Sequence, residues 1–316
     1  VISRFLAFVS RIFTAILDWI TRHGRGFILA NIAAQAGIIV TGGIVRLTGS
    51  GLGCSTWPQC EPGSFTPEFH AEATVHTAVE FGNRLLTFVL AAVALGVAIA
   101  VWRSRPDLKW WGLVPGVGVV IQAVVGGITV LVELHPLVVA PHLLLSTALV
   151  WFSVWLSLTY RRAPRRAGAS VLWHQRLLAA TVVVVLVLGA LTTGAGPHSG
   201  DIDATERLAL DPAAIARAHA LAVWAFLVVF IALVWRIRRD RSVGERDELR
   251  KAWVVVVVVV CAQGLVGYVQ YFTGLPEVLV ALHLVGIGAF AAAHSALHYL
   301  VRADASVQVG ASAAAR

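Results

Sequence analysis

The sequence predicts an all-α integral membrane protein: eight transmembrane helices forming two pseudo-symmetric four-helix bundles, with an amphipathic helix ahead of them. Three observations carry this. The 316-residue chain is 58% hydrophobic and 13% charged, and several of its apolar runs are long enough to cross a hydrocarbon layer of about 30 Å. Its basic residues gather in alternate connections between those runs. Motifs of the first half return in the same order in the second.

Residues 1–25 place Arg4, Arg11 and Arg22 among Phe, Ile, Leu and Trp, a pattern suited to a helix lying on the membrane surface. A cleaved leader is the alternative, but no small-residue cleavage site follows. The eight spans are read at about 26–47, 77–102, 110–133, 136–159, 171–195, 212–235, 252–273 and 276–301. They divide into an N-terminal bundle over 26–160 and a C-terminal bundle over 161–302, with a tail at 303–316.

The net charge of +8 could suggest a polyanion-binding surface, but its distribution excludes nucleic acid as a partner. Of 25 Lys and Arg residues, 21 fall in 1–25, 103–109, 161–176, 236–251 and 302–316, whereas Arg46, Arg84, Arg207 and Arg217 fall at the other ends of the spans. The positive-inside rule then places both termini and the basic loops in the cytoplasm of a bacterium, with the chain multi-pass in its plasma membrane. Glu68, Glu72, Asp201, Asp203 and Glu206 are among the acidic residues assigned to the outside.

That topology puts Cys54 and Cys60 of GLGCSTWPQC in an outer loop, an oxidising compartment where a disulfide can persist. Five residues separate them, a loop a disulfide can span; a pair of reduced thiols is the alternative. Cys261, in the valine run of span seven, reads as inert packing. Gly42-Gly43 and Gly49-Ser50-Gly51-Leu52-Gly53 lack the Lys and the strand–turn–helix setting of a phosphate loop, so close helix approach and a tight turn are expected.

The repeat is carried by Gln122-x-x-x-Gly126, Pro136 and His142 against Gln263-x-x-x-Gly267, Pro276 and His283, and by Thr48-Gly49-Ser50-Gly51 against Thr193-Gly194-Ala195-Gly196. Asn83, His142, His219 and His283 each sit about one turn inside an even-numbered span. Polar groups at matched depth in a membrane bundle need partners, and facing His residues most often share a metal, above all haem iron. His219 and His283 could clamp one planar macrocycle; interhelical hydrogen bonding is the alternative. His198 reads as an outer-loop residue, and His294 and His298, three and four turns deeper than His283, as polar packing or interfacial groups.

GGIVRLTGSGLGCSTWPQC, EFGNRLLTF, the histidine of PHLLLS, TGAGPHSGD and the two later histidines together resemble the haem A synthase family, in an actinobacterial-type version, over roughly residues 26–302. The resemblance implies oxidation of a ring methyl group of haem O to a formyl group, giving haem A for cytochrome oxidase. It implies haem b held by His219 and His283, His142 as ligand to the substrate haem, and Glu80 as the acid near the reacting centre. Haem O synthase and an electron donor are the implied partners besides the lipid membrane.

The chain departs from the family's Glu-x-x-His pattern at Glu80-Phe81-Gly82-Asn83, because Asn is a poor iron ligand. One His with a weakly occupied opposite position would allow exchange of the substrate. His76, on the same helical face as Asn83 but about two turns (~10 Å) further out, is a second candidate ligand, or an interfacial residue. His135 reads as interfacial, with Pro136 starting the helix. Glu80 could instead pair with Arg46, or more awkwardly with Arg84. Arg46, Arg84 and Arg217 are propionate candidates, since Arg offers carboxylates a planar fork, with headgroup anchoring as the alternative. The nearest rival function is a di-haem cytochrome b passing electrons to a quinone. It calls for a full bis-His set in each bundle, which Asn83 does not supply. A transporter would call for charge at the membrane midplane, where these spans carry almost none.

Overall fold

The computed structural model describes residues 2–67, 74–161, 165–166, 169–204, 206–239, 247–301 and 303–304. Most of the expected tail (305–316), Glu68 and Glu72, and the basic stretch 240–246 lie outside the described residues. Among the described residues nine long helices run in chain order: α1 (Ile2–Arg22), α2 (Gly24–Leu47), α3 (Thr74–Ser104), α4 (Val114–Leu131), α5 (Pro136–Arg161), α6 (Ala169–Ala195), α7 (Pro212–Arg239), α8 (Asp247–Phe272) and α9 (Glu277–Leu300). The last eight are long and apolar enough to cross a membrane, as the sequence predicts. Two 3-10 turns precede α4 at Pro106–Leu108 and Trp111–Leu113, and a two-residue antiparallel pair joins Arg165–Arg166 to Ala303–Asp304.

Large apolar side chains such as Phe88, Leu95, Val120, Val228, Ile231, Val258 and Leu265 are exposed on the spanning helices, as a lipid solvent allows. α1 buries no residue of its own. It is held to α3 by an Arg103–Asp18 ion pair of 2.5 Å and meets α2 through an edge-on contact of Trp19 with Phe27. Cys261 is exposed on α8, which corrects the expectation of packing inside the protein.

In the first bundle α2 packs on α3, α3 on α4, α4 on α5 and α5 on α2, closing a ring. In the second, α6 packs closely on α7 and α8 on α9, and the two pairs meet through one shared apolar cluster. The bundles meet through α5 on α9, with α2 on α9 matched by α5 on α6, the pattern of a two-fold relation. Their interface contains buried polar groups. Trp151 Nε1 donates across it to His294 Nδ1 (3.0 Å) and Ser295 Oγ donates to the Trp151 carbonyl (2.6 Å), while within the first bundle Asn31 donates to Ser153 Oγ (2.8 Å). His294 therefore is polar packing between the bundles, as one of its two expected readings held.

The repeat is visible in the backbone. The turn from α4 to α5 holds Glu133 and Leu134 at φ 52° and 61°, and the turn from α8 to α9 holds Gly274 and Leu275 at φ 80° and 62°. Leu134 N–H donates to Thr129 O and Leu275 N–H to Gln270 O, each at 2.8 Å. The same register sets Gln122 opposite Gln263 and His142 opposite His283, but matches Pro276 with His135 rather than with Pro136. Pro136 does begin α5, where its missing N–H costs no helix bond.

Candidate functional site

The apolar clusters that weld each bundle lie toward the basic ends of the helices. In the second bundle the cluster runs through Val185 on α6, starts at Ala222 on α7, ends at Val260 on α8 and starts at Phe290 on α9. In the first it gathers Ile28, Val97, Val101, Leu108 and Leu156. The opposite halves, toward the Cys54–Cys60 loop, carry the histidines and contribute little to these cores.

His219 stands on α7 and belongs to the α6–α7 pair. Its Nδ1 donates to the Val185 carbonyl at 3.0 Å, which fixes the tautomer and leaves Nε2 free. Its ring lies over Gly189, where a Cβ would meet Cε1 at 3.1 Å. His283 belongs to the α8–α9 pair, with its ring over Gly267 at 3.4 Å by the same measure. Its buried Nδ1 has no hydrogen-bond partner. The two rings are close enough for their charges to interact. Two half-buried imidazoles, one in each helix pair, thus lie near one another, each over a glycine cradle. An orphaned ring nitrogen and two glycine cradles fit a planar metal macrocycle inserted between them.

The first bundle repeats this arrangement with one change. His142 lies over Gly126, its Cε1 3.2 Å from where a Cβ would be, and its buried Nδ1 is likewise unpartnered. Gln122 Nε2 donates to the His142 carbonyl at 3.1 Å, as Gln263 does to that of His283 at 2.9 Å. Gln122 also bonds Ser146 Oγ. At the position that the repeat matches to His219 stands Asn83, whose Oδ1 accepts from Thr41 Oγ1 at 2.8 Å. Three members of the expected ligand frame thus have matched surroundings, and Asn83 is tied to α2.

The disulfide loop caps this end. Cys54 and Cys60 are bonded and both fully buried. Glu80, 4% exposed, receives the Cys54 N–H on Oε2 (2.6 Å) and Arg84 on Oε1 (2.5 Å). The pair sits one helical turn apart, four residues on, so the expectation that Glu80–Arg84 pairing is awkward is wrong: i and i+4 share a face. Arg84 further donates to the carbonyls of Thr56 (2.9 Å), Gln59 (3.1 Å) and Cys54 (3.4 Å). With Nε also on Glu80, the five N–H groups of the guanidinium are matched by five bonds, which leaves none for a propionate. Arg84 is a clamp for the loop.

Arg46 differs. It donates one bond to the Thr193 carbonyl (3.2 Å), its buried Nε is unpartnered, and Arg207 lies close enough to repel it. An anion would relieve both conditions. Arg217 is exposed two residues before His219. His76 is exposed, with Nδ1 2.9 Å from Ser50 Oγ, and so is tied to the capping loop. His135 forms an exposed pair with Glu206 at 3.1 Å, in keeping with its interfacial reading. His198 tethers its loop to the α8–α9 turn through the Leu275 carbonyl (3.0 Å). The two loops join where Gly51 N–H donates to Gly200 O (2.8 Å) and Leu52 N–H to Asp201 (3.1 Å).

Sequence reasoning missed Thr41, Gly189 and Ser50. Thr41 directly precedes the noted glycine pair, and only its helical register against Asn83 could have marked it. Gly189 carried no signal in a run of valines and leucines.

Comparison with known proteins agrees with this architecture. The family described as Cytochrome oxidase assembly protein matches residues 25–198, over half of the chain. A haem A synthase of Bacillus pumilus is 24% identical over 263 residues, covering 75% of this chain and 82% of its own. One of Geobacillus kaustophilus is 24% identical over 281 residues, covering 83% and 86%. One of Symbiobacterium thermophilum is 29% identical over 264 residues, covering 74% and 81%. With its eight spans and paired histidine sites in view, this chain belongs to the cytochrome oxidase assembly protein family.

Proposed function

We propose that this protein is a haem A synthase of the bacterial plasma membrane, which oxidises a ring methyl group of haem O to a formyl group. One observation carries the reading: two bundles related by a repeat present imidazoles in matched glycine cradles, two in the second bundle and one in the first, where the repeat matches an amide to the other. Family membership and the haem A synthases among the relatives support it.

The division of labour follows from that difference. His219 and His283 would hold haem b, which supplies reversible one-electron chemistry when bound. Haem O is the substrate, held by His142 in the first bundle. Two successive hydroxylations, each drawing a two-electron oxidant and one oxygen atom from outside the chain, would take the methyl carbon to an alcohol and then a gem-diol, which loses water to leave the aldehyde. Glu80 is assigned the acid near this carbon. Its burial one turn from Asn83, with each oxygen accepting N–H bonds, supports an ionised carboxylate held in place as a proton acceptor. Arg46 is assigned a propionate on the strength of its unpartnered Nε. The disulfide loop, clamped by Arg84, would keep water from the site. The segregated basic residues support cytoplasmic termini and an outward-facing site. An electron donor and a source of haem O, such as haem O synthase, would complete the cycle.

A bacterial strain that makes haem O but lacks its own haem A synthase tests the reading. Expression of this chain is expected to restore a-type cytochrome absorption in its membranes. Continued absence of haem A, with the chain present in the membrane and haem O available, would contradict it.

A further inference from the structure

We infer that Asn83 is a hydrogen-bond donor aimed at the open coordination position of the substrate haem, and not an iron ligand. The inference rests on the reading of the first bundle as the haem O site and deepens it. The repeat matches Asn83 with His219 of the second bundle, and that match sets it across the site from the histidine in the Gly126 cradle. An imidazole there would fill the second axial position and close the iron to any other ligand. A neutral carboxamide does not bind iron well, so a haem held by His142 keeps one position open.

The orientation of the amide gives that open position a purpose. Thr41 Oγ1 donates to Asn83 Oδ1 at 2.8 Å, so the carbonyl side of the amide is anchored to α2. No protein acceptor takes the Nδ2 hydrogens among the described residues, and Nδ2 is not among the buried unpartnered atoms, so it faces accessible space. A Cβ on the neighbouring Gly82 would meet nothing within 4 Å, so no other helix packs on α3 at that point. His76, the other candidate for the position, is tied to Ser50 Oγ at 2.9 Å. The geometry therefore directs an N–H group toward a small ligand entering opposite His142, and Thr41 holds it there. A single residue divides the repeat into a closed haem site and an open one.

Carbon monoxide is the probe. The full-length protein would be purified from cells supplied with haem O, reduced, exposed to the gas, and read by infrared and visible spectroscopy beside a count of haems per chain. The unaltered protein is expected to show one haem that binds carbon monoxide, absent from His142→Ala. Asn83→His should convert that haem to a low-spin form that no longer binds the gas. Asn83→Leu should still bind it but with the C–O stretch moved to higher frequency, because the donor that draws electron density onto the ligand oxygen is gone. Thr41→Val should move the stretch in the same direction by less. A C–O stretch unmoved in Asn83→Leu would overturn the proposal, as would a second haem that refuses carbon monoxide in the unaltered protein. Absence of any second haem would overturn the substrate-site reading itself, and this proposal with it.

Discussion

Gly189→Ala is the perturbation that most directly probes how the second bundle holds its ligand. The added methyl group would stand 3.1 Å from His219 Cε1 and 3.4 Å from Nδ1, so the ring must retreat by a few tenths of an ångström. It cannot do so freely, because Nδ1 is bonded to the Val185 carbonyl at 3.0 Å on the same helix. A shift of about 0.4 Å would take that bond beyond the usual N–H···O range of about 2.7–3.2 Å. Loss of one such bond is worth about 1 kcal/mol, or about fivefold in affinity. Disturbing the orienting partner of a metal-bound His often costs more, about 10–100-fold. Gly267→Ala is the internal control, since its methyl group would meet His283 at 3.4 Å, ordinary contact. Both changes gain up to about 1 kcal/mol of helix propensity, so their difference isolates the ring contact. With haem b held there as proposed, the assay is its transfer from detergent-solubilised protein to an excess of apomyoglobin, followed by absorbance. Gly189→Ala is expected to lose haem five- to a hundredfold more readily than Gly267→Ala (roughly, from the same terms). Equal loss from the two variants, or greater loss from Gly267→Ala, would refute the reasoning.

Three further outcomes follow from the geometry. Arg84→Ala leaves the buried Glu80 carboxylate without its partner and releases three loop carbonyls, at a cost of about 3–5 kcal/mol, and Arg84→Lys should recover little; thermal inactivation in detergent measures both, and a melting profile unchanged in Arg84→Ala would count against the clamp. Without reductant, thiol alkylation of the denatured protein should label Cys261 alone, with Cys54 and Cys60 appearing only after reduction; immediate labelling of all three would remove the disulfide. His294→Leu leaves the Trp151 indole N–H unpaired between the bundles at about 1–3 kcal/mol, whereas adding Trp151→Phe should recover most of that loss, read again by thermal inactivation.

Much of this was legible in the chain, for physical reasons. A membrane span must be long, apolar and hydrogen-bonded within itself, so the eight runs and their limits could be read to within a few residues, Pro136 fixing the start of α5 outright. The histidine frame was legible because polar groups are rare in such runs and therefore conspicuous. What escaped was everything set by contacts between helices. The partnership of Glu80 with Arg84 was misjudged although the i, i+4 spacing announces it. The closure of Arg84 by Thr56, Gln59 and Cys54 could not have been foreseen, because backbone carbonyls carry no sequence identity. Gly189 looked like any small residue in a helix, and its role emerged only when His219 was found above it. The Thr41–Asn83 bond depends on the rotation of α2 against α3, which periodicity does not set when both faces are apolar.

The central claim is that this chain makes haem A, and the measurement that tests it most directly is chromatographic identification of the haems extracted from the purified protein, expressed with and without a source of haem O. The account predicts haem b alone without the source, and haem b together with haem A when the source is present. Haem b alone under both conditions, with haem O demonstrably available in the cell, would contradict it and favour a di-haem electron carrier.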